Sequence, residues 1–227
     1  MPPTAVWRAM KIGIIGSGDV GQALGRGLIR HGHEVLMGTR DQKAEKVTAW
    51  VAVAGEGARV GTMAEAAAFG DIVILAVLGA AAESAITLAK PANLADKVLL
   101  DATNPLDFSK GMPPGLFIGT TDSLGEQVQR WAPKAKVVKC FNTVGNSQMI
   151  DPSVDVGVPR MFIAGNDAEA KAAATRLLQG LGWAGTIDVG AIDGARWLEA
   201  AVPLWVRVGV AHGSWDHLFT VARPADG

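Results

Sequence analysis

The sequence predicts an α/β fold: a doubly wound, mostly parallel sheet with a small C-terminal α/β extension that ends in a long helix. Three observations carry this expectation. Short apolar runs of strand length alternate with longer runs of helical spacing, most of the 28 glycines stand at the ends of those runs, and the connections between runs are short. Strands that alternate with helices across short loops pack as parallel neighbours, and glycine at a run end allows the tight turn such a connection needs.

The elements follow in order. Lys11 to Ile15 reads as a strand, and a helical pattern through Leu24, Leu28 and Ile29 ends near His31 and Gly32. Glu34 to Met37 is a second strand, Asp41 to about Val53 a helix, and Arg59 and Val60 a brief strand before an alanine-rich helix from Met63 to Phe69. Ile72 to Val77 is a buried strand followed by a helix from Ala80 to Ala89, and Val98 to Asp101 is the next strand. Pro105 imposes an extended or turn backbone on Asn104. Leu106 to Thr121 reads as loop, Ser123 to Trp131 as helix and Ala135 to Phe141 as strand. A shift in composition near Asp151 divides residues 10–150, the expected nucleotide-binding domain, from residues 151–220, the expected extension. The latter reads as a strand from Arg160, a helix from Asp167, a weaker strand from Gly185 and one long helix from Gly194 to about Val210.

Composition narrows the function. Hydrophobic residues at 49% and charged residues at 19% supply a core and argue against disorder. A net charge of -1 gives no general attraction to nucleic acid or to an anionic membrane. Cys140 is the single cysteine, which excludes an intrachain disulfide framework. No apolar run has membrane-spanning length, and the N-terminal segment lacks the pattern of a signal peptide, so a cytoplasmic protein is expected. The chain has no tyrosine, so a Tyr-Lys reductase mechanism cannot operate.

Gly16, Gly18 and Gly21 follow the first strand and open the first helix in the spacing G-x-G-x-x-G, which makes the sheet Rossmann-type and the loop Gly16, Ser17, Gly18, Asp19 and Val20 a pyrophosphate cradle. The next strand ends in Gly38, Thr39 and Arg40 with no carboxylate to take a ribose diol. A hydroxyl and a guanidinium suit a 2'-phosphate, and Lys43 adds charge, so NADP is expected over NAD. Ala76, Val77 and Leu78 are too apolar for acid-base work and read as a wall beside ribose and nicotinamide. Polar groups gather after two later strands, with Thr103 and Asn104 on one and Asn142, Thr143, Gly145 and Asn146 on the other. The first pair is expected to face the nicotinamide ribose and the second group its carboxamide or a second ligand; each asparagine also reads as a turn cap.

No paired carboxylates and no Ser-His-Asp set stand at these strand ends. Cys140 reads as core, His31 and His33 as surface groups, and His212, Asp216 and His217 as part of a packed C-terminal segment. A carbonyl reductase normally needs a proton donor beside the reacting oxygen, whereas hydride passage between two bound cofactors needs mainly approach and orientation. The missing donor therefore points toward a second redox cofactor.

The ordered set Gly16-Ser-Gly-Asp-Val-Gly21, Gly38-Thr-Arg40, Asp71 to Val77, Asp101-Ala-Thr-Asn-Pro105, Val137 to Thr143 and Asp193 to Pro203 resembles the F420-dependent NADP oxidoreductases and the related cytosolic reductase domains of membrane metalloreductases. The resemblance implies a dimer that binds NADP and passes hydride reversibly between nicotinamide C4 and C5 of coenzyme F420. It implies pyrophosphate contacts at Ser17 to Val20, a 2'-phosphate pocket at Thr39, Arg40 and Lys43, and a nicotinamide and deazaflavin cleft near Val77, Asn104 and Asn142 to Asn146, completed by the extension. The Asp101-Ala-Thr-Asn-Pro105 segment is closer to the metalloreductase branch. A flavin or ferric reductase, a small imine or carbonyl reductase and a redox sensor without turnover all stay open. Trp205, in the apolar run 201–208, is the expected anchor of a homodimer interface.

Overall fold

Ile12, Ile14 and Ile15, with Val73, Ile74 and Leu75, are removed from solvent on both faces of their strands, as continuous apolar runs in a covered parallel sheet require. The computed structural model describes residues 9–155 and 157–221. The N-terminal residues 1–8, where no signal peptide is expected, lie outside that range. The chain runs β1 (Lys11–Ile15), α1 (Asp19–Arg30), β2 (Glu34–Gly38), α2 (Glu45–Ala54), β3 (Ala58–Gly61), α3 (Met63–Phe69), β4 (Ile72–Leu75), α4 (Ala82–Ala89) and β5 (Val98–Asp101). It continues through β6 (Leu106–Asp107), β7 (Gly115–Leu116), α5 (Leu124–Trp131), β8 (Lys136–Lys139), β9 (Met161–Gly165), α6 (Ala168–Gly180), β10 (Thr186–Asp188), α7 (Ala195–Ala200) and α8 (Val202–His212).

Eight of these strands form one sheet in the order β3-β2-β1-β4-β5-β8-β9-β10, so the doubly wound α/β expectation holds. The order reverses between β1 and β4, both parallel to their neighbours, and ligands of such sheets bind outside the carboxyl ends of the strands at that reversal. One apolar cluster joins Ile12, Ile14, Val138 and Cys140 to Leu24 and Leu28 of α1 and Leu177 and Leu178 of α6. A second, on the other face, joins Ile15, Val73, Leu75 and Val137 to Ile86 of α4 and Leu124 and Val128 of α5. Residues after 151 add two strands to the same sheet: β9 pairs antiparallel to β8, Val138 opposite Gly165, and β10 lies parallel to β9.

Four local readings change. Helix α2 begins at Glu45, because Asp41 folds its carboxylate back onto the Lys43 amide at 2.9 Å and holds residues 41–43 in a turn. The expected loop 106–121 contains the two-residue strands of the β6-β7 hairpin. The single C-terminal helix is two, α7 and α8, divided at Ala201 where Pro203 cannot donate a backbone hydrogen bond into the preceding turn. His33 is buried rather than surface, its Nδ1 accepting from the Met10 amide at 3.3 Å, and burial pushes its pKa below 6.5. No helix among the described residues is long and apolar enough to cross a membrane.

Candidate functional site

The chain leaves β1 through Gly16, whose φ of +123° suits glycine. A Cβ added there would lie 2.1 Å from the Ala76 carbonyl oxygen, and one added at Gly21 would lie 2.3 Å from that of Gly16. At Gly18 it would meet nothing within 4 Å. Two glycines therefore let the strands and the helix close up, while the middle one faces open space. Gly18 caps α1 without any side-chain hydrogen bond, so among the described residues no side chain at that cap accepts from the first-turn amides of the helix. Gln22 steadies the loop by donating its side-chain amide to the Ser17 carbonyl at 3.1 Å.

A cleft of about 470 Å³ opens at this point, within the ordinary range for small-molecule sites of roughly 300–1,000 Å³. Gly16, Ser17, Gly18, Asp19, Val20, Thr39, Arg40, Ala76, Val77 and Leu78 all line it. The Thr39 hydroxyl is buried and accepts from the Ser17 hydroxyl at 3.0 Å, which joins the glycine loop to the end of β2. Arg40 is exposed on the rim. Lys43 does not line the cleft; Lys46, one residue into α2, does, and its carbonyl faces the Gln22 amide at 3.5 Å. The delayed start of α2 makes this exchange.

Asn104, Asn142, Thr143, Gly145 and Asn146 form a separate cluster past the ends of β5 and β8 and are not part of the cleft wall. Asn104 donates to the Asn142 carbonyl at 2.9 Å, and Asn142 donates to Asn104 Oδ1 at 3.0 Å, so the two amides interlock. Asn142 Oδ1 is buried with no hydrogen-bond partner among the described residues. The preceding Phe141 is buried at φ +64°, a sparsely populated conformation for a bulky side chain. Thr143 is buried, Gly145 packs beneath Trp205 and Trp215, and Asn146 is exposed. This cluster adjoins the cleft where Ala102 lines the wall and where the Asn104 carbonyl lies against Gly79, beside Leu78.

Two charged groups lie inside the segments 137–143 and 193–203, and neither is among the expected site residues. Lys139 and Glu199 are fully or nearly fully buried with Asp101. Lys139 Nζ lies 3.0 Å from Asp101 Oδ2, 2.7 Å from Glu199 Oε1 and 2.6 Å from the Thr103 carbonyl. Burial pushes the ammonium toward neutrality, but the two carboxylates outweigh that and hold its pKa above the ordinary lysine value. Glu199 also accepts the amides of Leu124 and Gly125 at 2.8 and 2.9 Å. Two carboxylates thus share one ammonium, Asp101 from the end of β5 and Glu199 from α7. The available signal was chemical: a lysine inside a strand and a glutamate inside the apolar stretch 195–206 must find partners if buried.

The remaining groups are structural. Cys140 is buried, and burial pushes its thiol far above the range of a nucleophile. His217 stacks on Trp205 with ring centroids 4.5 Å apart, and Asp216 accepts from Ser147 at 2.6 Å, so this segment packs against the 142–147 loop. No group of three metal-ligating side chains occurs among the described residues. Trp205 turns inward to donate to the His217 carbonyl, and the exposed large apolar side chains of α7 and α8 are instead Trp197, Leu204 and Val210, 66%, 62% and 54% exposed.

Known proteins resemble this chain in sequence and in fold. The family model described as NADP oxidoreductase coenzyme F420-dependent matches residues 11–105. The F420-dependent NADP reductase of Methanothermobacter thermautotrophicus is 31% identical over 214 residues, 88% of this chain and 90% of that protein. Metalloreductase STEAP3 of Rattus norvegicus is 28% identical over 196 residues, 86% of this chain and 37% of that protein. A crystal structure from Arthrobacter sp. FB24, described as that of a candidate F420-dependent NADP reductase, superposes with a TM-score of 0.90 at 43% identity, covering 95% of this chain and 100% of the other.

Proposed function

Because the chain belongs to the F420-dependent NADP reductase family, we propose that it transfers hydride reversibly between NADP(H) and coenzyme F420. One observation carries the reading. The ionisable residues that line the cleft are Asp19, Arg40, Asp41 and Lys46, which stand on the glycine loop, at the end of β2 and at the start of α2, while Asp101 and Lys139 at the ends of β5 and β8 are buried against each other. No ionisable side chain lines the cleft from the segment 76–102, and hydride exchange between two cofactors does not demand one.

The protein fits the nucleotide. The open space at Gly18 and the uncapped amides of α1 suit a pyrophosphate, with Ser17, Asp19 and Val20 around it. Thr39, Arg40 and Lys46 hold the 2'-phosphate, with Lys43 further out. Ala76, Val77 and Leu78 form the apolar wall that excludes water beside the nicotinamide. Asn142 Oδ1, an acceptor without a donor among the described residues, suits an amide N–H of a ligand beyond that wall, and Asn104, Thr143, Gly145 and Asn146 frame the same end. When both are bound, NADPH would supply a hydride from nicotinamide C4 to C5 of the deazaflavin, and a proton taken up from solvent would complete the reduction. The residues after 150 reach this end through α7, where Glu199 pairs with Lys139, and α8, where Trp205 packs over Gly145.

The test is a spectroscopic panel in which NADPH is mixed separately with F420, FMN, FAD, ferric chelates and small imines. The expected result is loss of the deazaflavin absorbance with F420 and slower or absent change with the others. Rapid flavin or ferric reduction without F420 turnover would move the assignment to a flavin or ferric reductase. Tight NADPH binding with silence across the panel would leave a redox sensor.

The same protein acts as a homodimer in this proposal, with Trp197 and Leu204 as the contact in place of Trp205. Trp197 on α7 and Leu204 on α8 are large apolar side chains left in water, the kind of surface that an interface covers. Sedimentation of the wild type at micromolar concentration should return a dimer, and Leu204→Asp a monomer. A monomeric wild type would reject it.

A further inference from the structure

Asp101, Lys139 and Glu199 are the buried side chains of their charge classes among the described residues, and every one of the three ammonium donors is used. Their acceptors stand on separate pieces of the fold: the end of β5, the turn that follows it, and α7. Asp101 adds a second hold on that turn, since its Oδ1 accepts from both the Thr103 amide at 2.9 Å and the Thr103 hydroxyl at 2.6 Å. Thr103 is therefore gripped through its amide, its hydroxyl and its carbonyl. The next residue is Asn104, whose amide interlocks with Asn142 on the neighbouring strand end.

Stability alone does not call for this arrangement. Apolar side chains of similar volume fill such a space without the desolvation cost of three charges, and replacing buried ion networks by them is often neutral or stabilising. What apolar packing does not do is fix a backbone carbonyl at a set distance from a charge, with direction. The network has that property, and it lies one residue from the wall where the two redox partners meet.

We propose that Lys139 is a positioning residue for hydride transfer: by holding the Thr103 carbonyl it sets Asn104, and through the Asn104–Asn142 interlock it sets the cluster adjoining the cleft, at the end where nicotinamide and the second cofactor approach. This rests on the reading of the cleft as a hydride-transfer site. The groups read as holding the pyrophosphate and the 2'-phosphate stand elsewhere, on the glycine loop and the rim at Arg40, none of which the network touches. The expected signature is consequently a split, with transfer impaired and NADPH binding spared. Misplacement by about 1 Å is enough to slow a reaction roughly a hundredfold.

The experiment compares wild type, Lys139→Met, Asn104→Ala and the double variant on the full chain with NADPH and F420, with active concentration taken from NADPH titration. Lys139→Met is expected to lower kcat by roughly 10- to 100-fold per NADPH-binding molecule, to leave the NADPH Kd within about threefold and to raise the primary isotope effect with C4-deuterated NADPH. The double variant should be no slower than the slower single variant, because both act through Asn104. An unchanged kcat per binding-competent molecule, or fully additive losses, overturns the role. If Lys139→Met does not fold, Glu199→Gln keeps the Asp101 and Thr103 contacts of Lys139; it should show the same split at smaller amplitude, and wild-type kcat in that variant also overturns the proposal. A wild type that binds NADPH and transfers no hydride defeats the functional reading and this role with it, whereas an active wild type with insensitive variants defeats this role alone.

Discussion

Gly18→Ala should leave the apo fold where it is and weaken NADPH binding by at least about tenfold, whereas Gly16→Ala should damage the fold itself. The two positions differ in what an added methyl meets. At Gly18 it enters the open space in front of the uncapped amides of α1, so only a phosphate approaching that backbone is obstructed. At Gly16 it lies 2.1 Å from the Ala76 carbonyl oxygen, at a φ of +123° that side chains rarely adopt. Strain of this kind costs about 2–4 kcal/mol, which for a chain of this size lowers Tm by roughly 5–15 °C. Thermal melts without nucleotide and NADPH titrations by fluorescence measure both. Equal melting losses in the two variants would contradict the assignment of Gly18 to the ligand.

Arg40→Ala should weaken NADPH by roughly 10- to 150-fold while changing NADH little, because a charge-assisted hydrogen bond contributes about 1.5–3 kcal/mol. Lys46→Ala should follow in the same direction with a smaller loss. Lys43→Ala should stay within about twofold, since its side chain lies outside the cleft and only its backbone amide is engaged there, by Asp41. Titrations of NADPH and NADH against all three variants give the comparison, and the gap between nucleotides should narrow as salt screens the 2'-phosphate. A loss at Lys43 larger than at Lys46, or equal losses for both nucleotides, would reverse the order of these residues.

Periodicity made the strands and the doubly wound class legible, because Ile12 to Ile15 and Ile72 to Leu75 read as apolar runs of strand length and each is followed by a helix of the right length. Glycine chemistry made the cradle legible, since the spacing at 16, 18 and 21 has only one good use after a strand. Direction and long-range pairing were not legible. A five-residue strand such as β9 carries no mark of running antiparallel to its neighbour. Whether Lys43 or Lys46 faces a ligand turns on where α2 begins, a shift of a few residues that swings a side chain round the helix. Glu199 meets Lys139 across sixty residues of chain, and only burial, which no local pattern records, forces the two together.

The reversal of β9 makes the molecule two-sided for anyone who wishes to fix it to a surface. Strands β9 and β10 deliver their carboxyl ends to the edge where β8 begins, away from the cleft. There the polar groups pair with one another: Asn166 accepts from the Ile192 amide, Lys171 meets Asp188 at 2.7 Å, and Lys136 meets Asp167 at 3.3 Å. A shallow depression of about 950 Å³ lined by Arg130, Lys134 and Lys136 lies on the same side. A cysteine introduced at Lys134 would tether the protein to an electrode or bead by this edge and leave the glycine loop turned outward to nucleotide in solution.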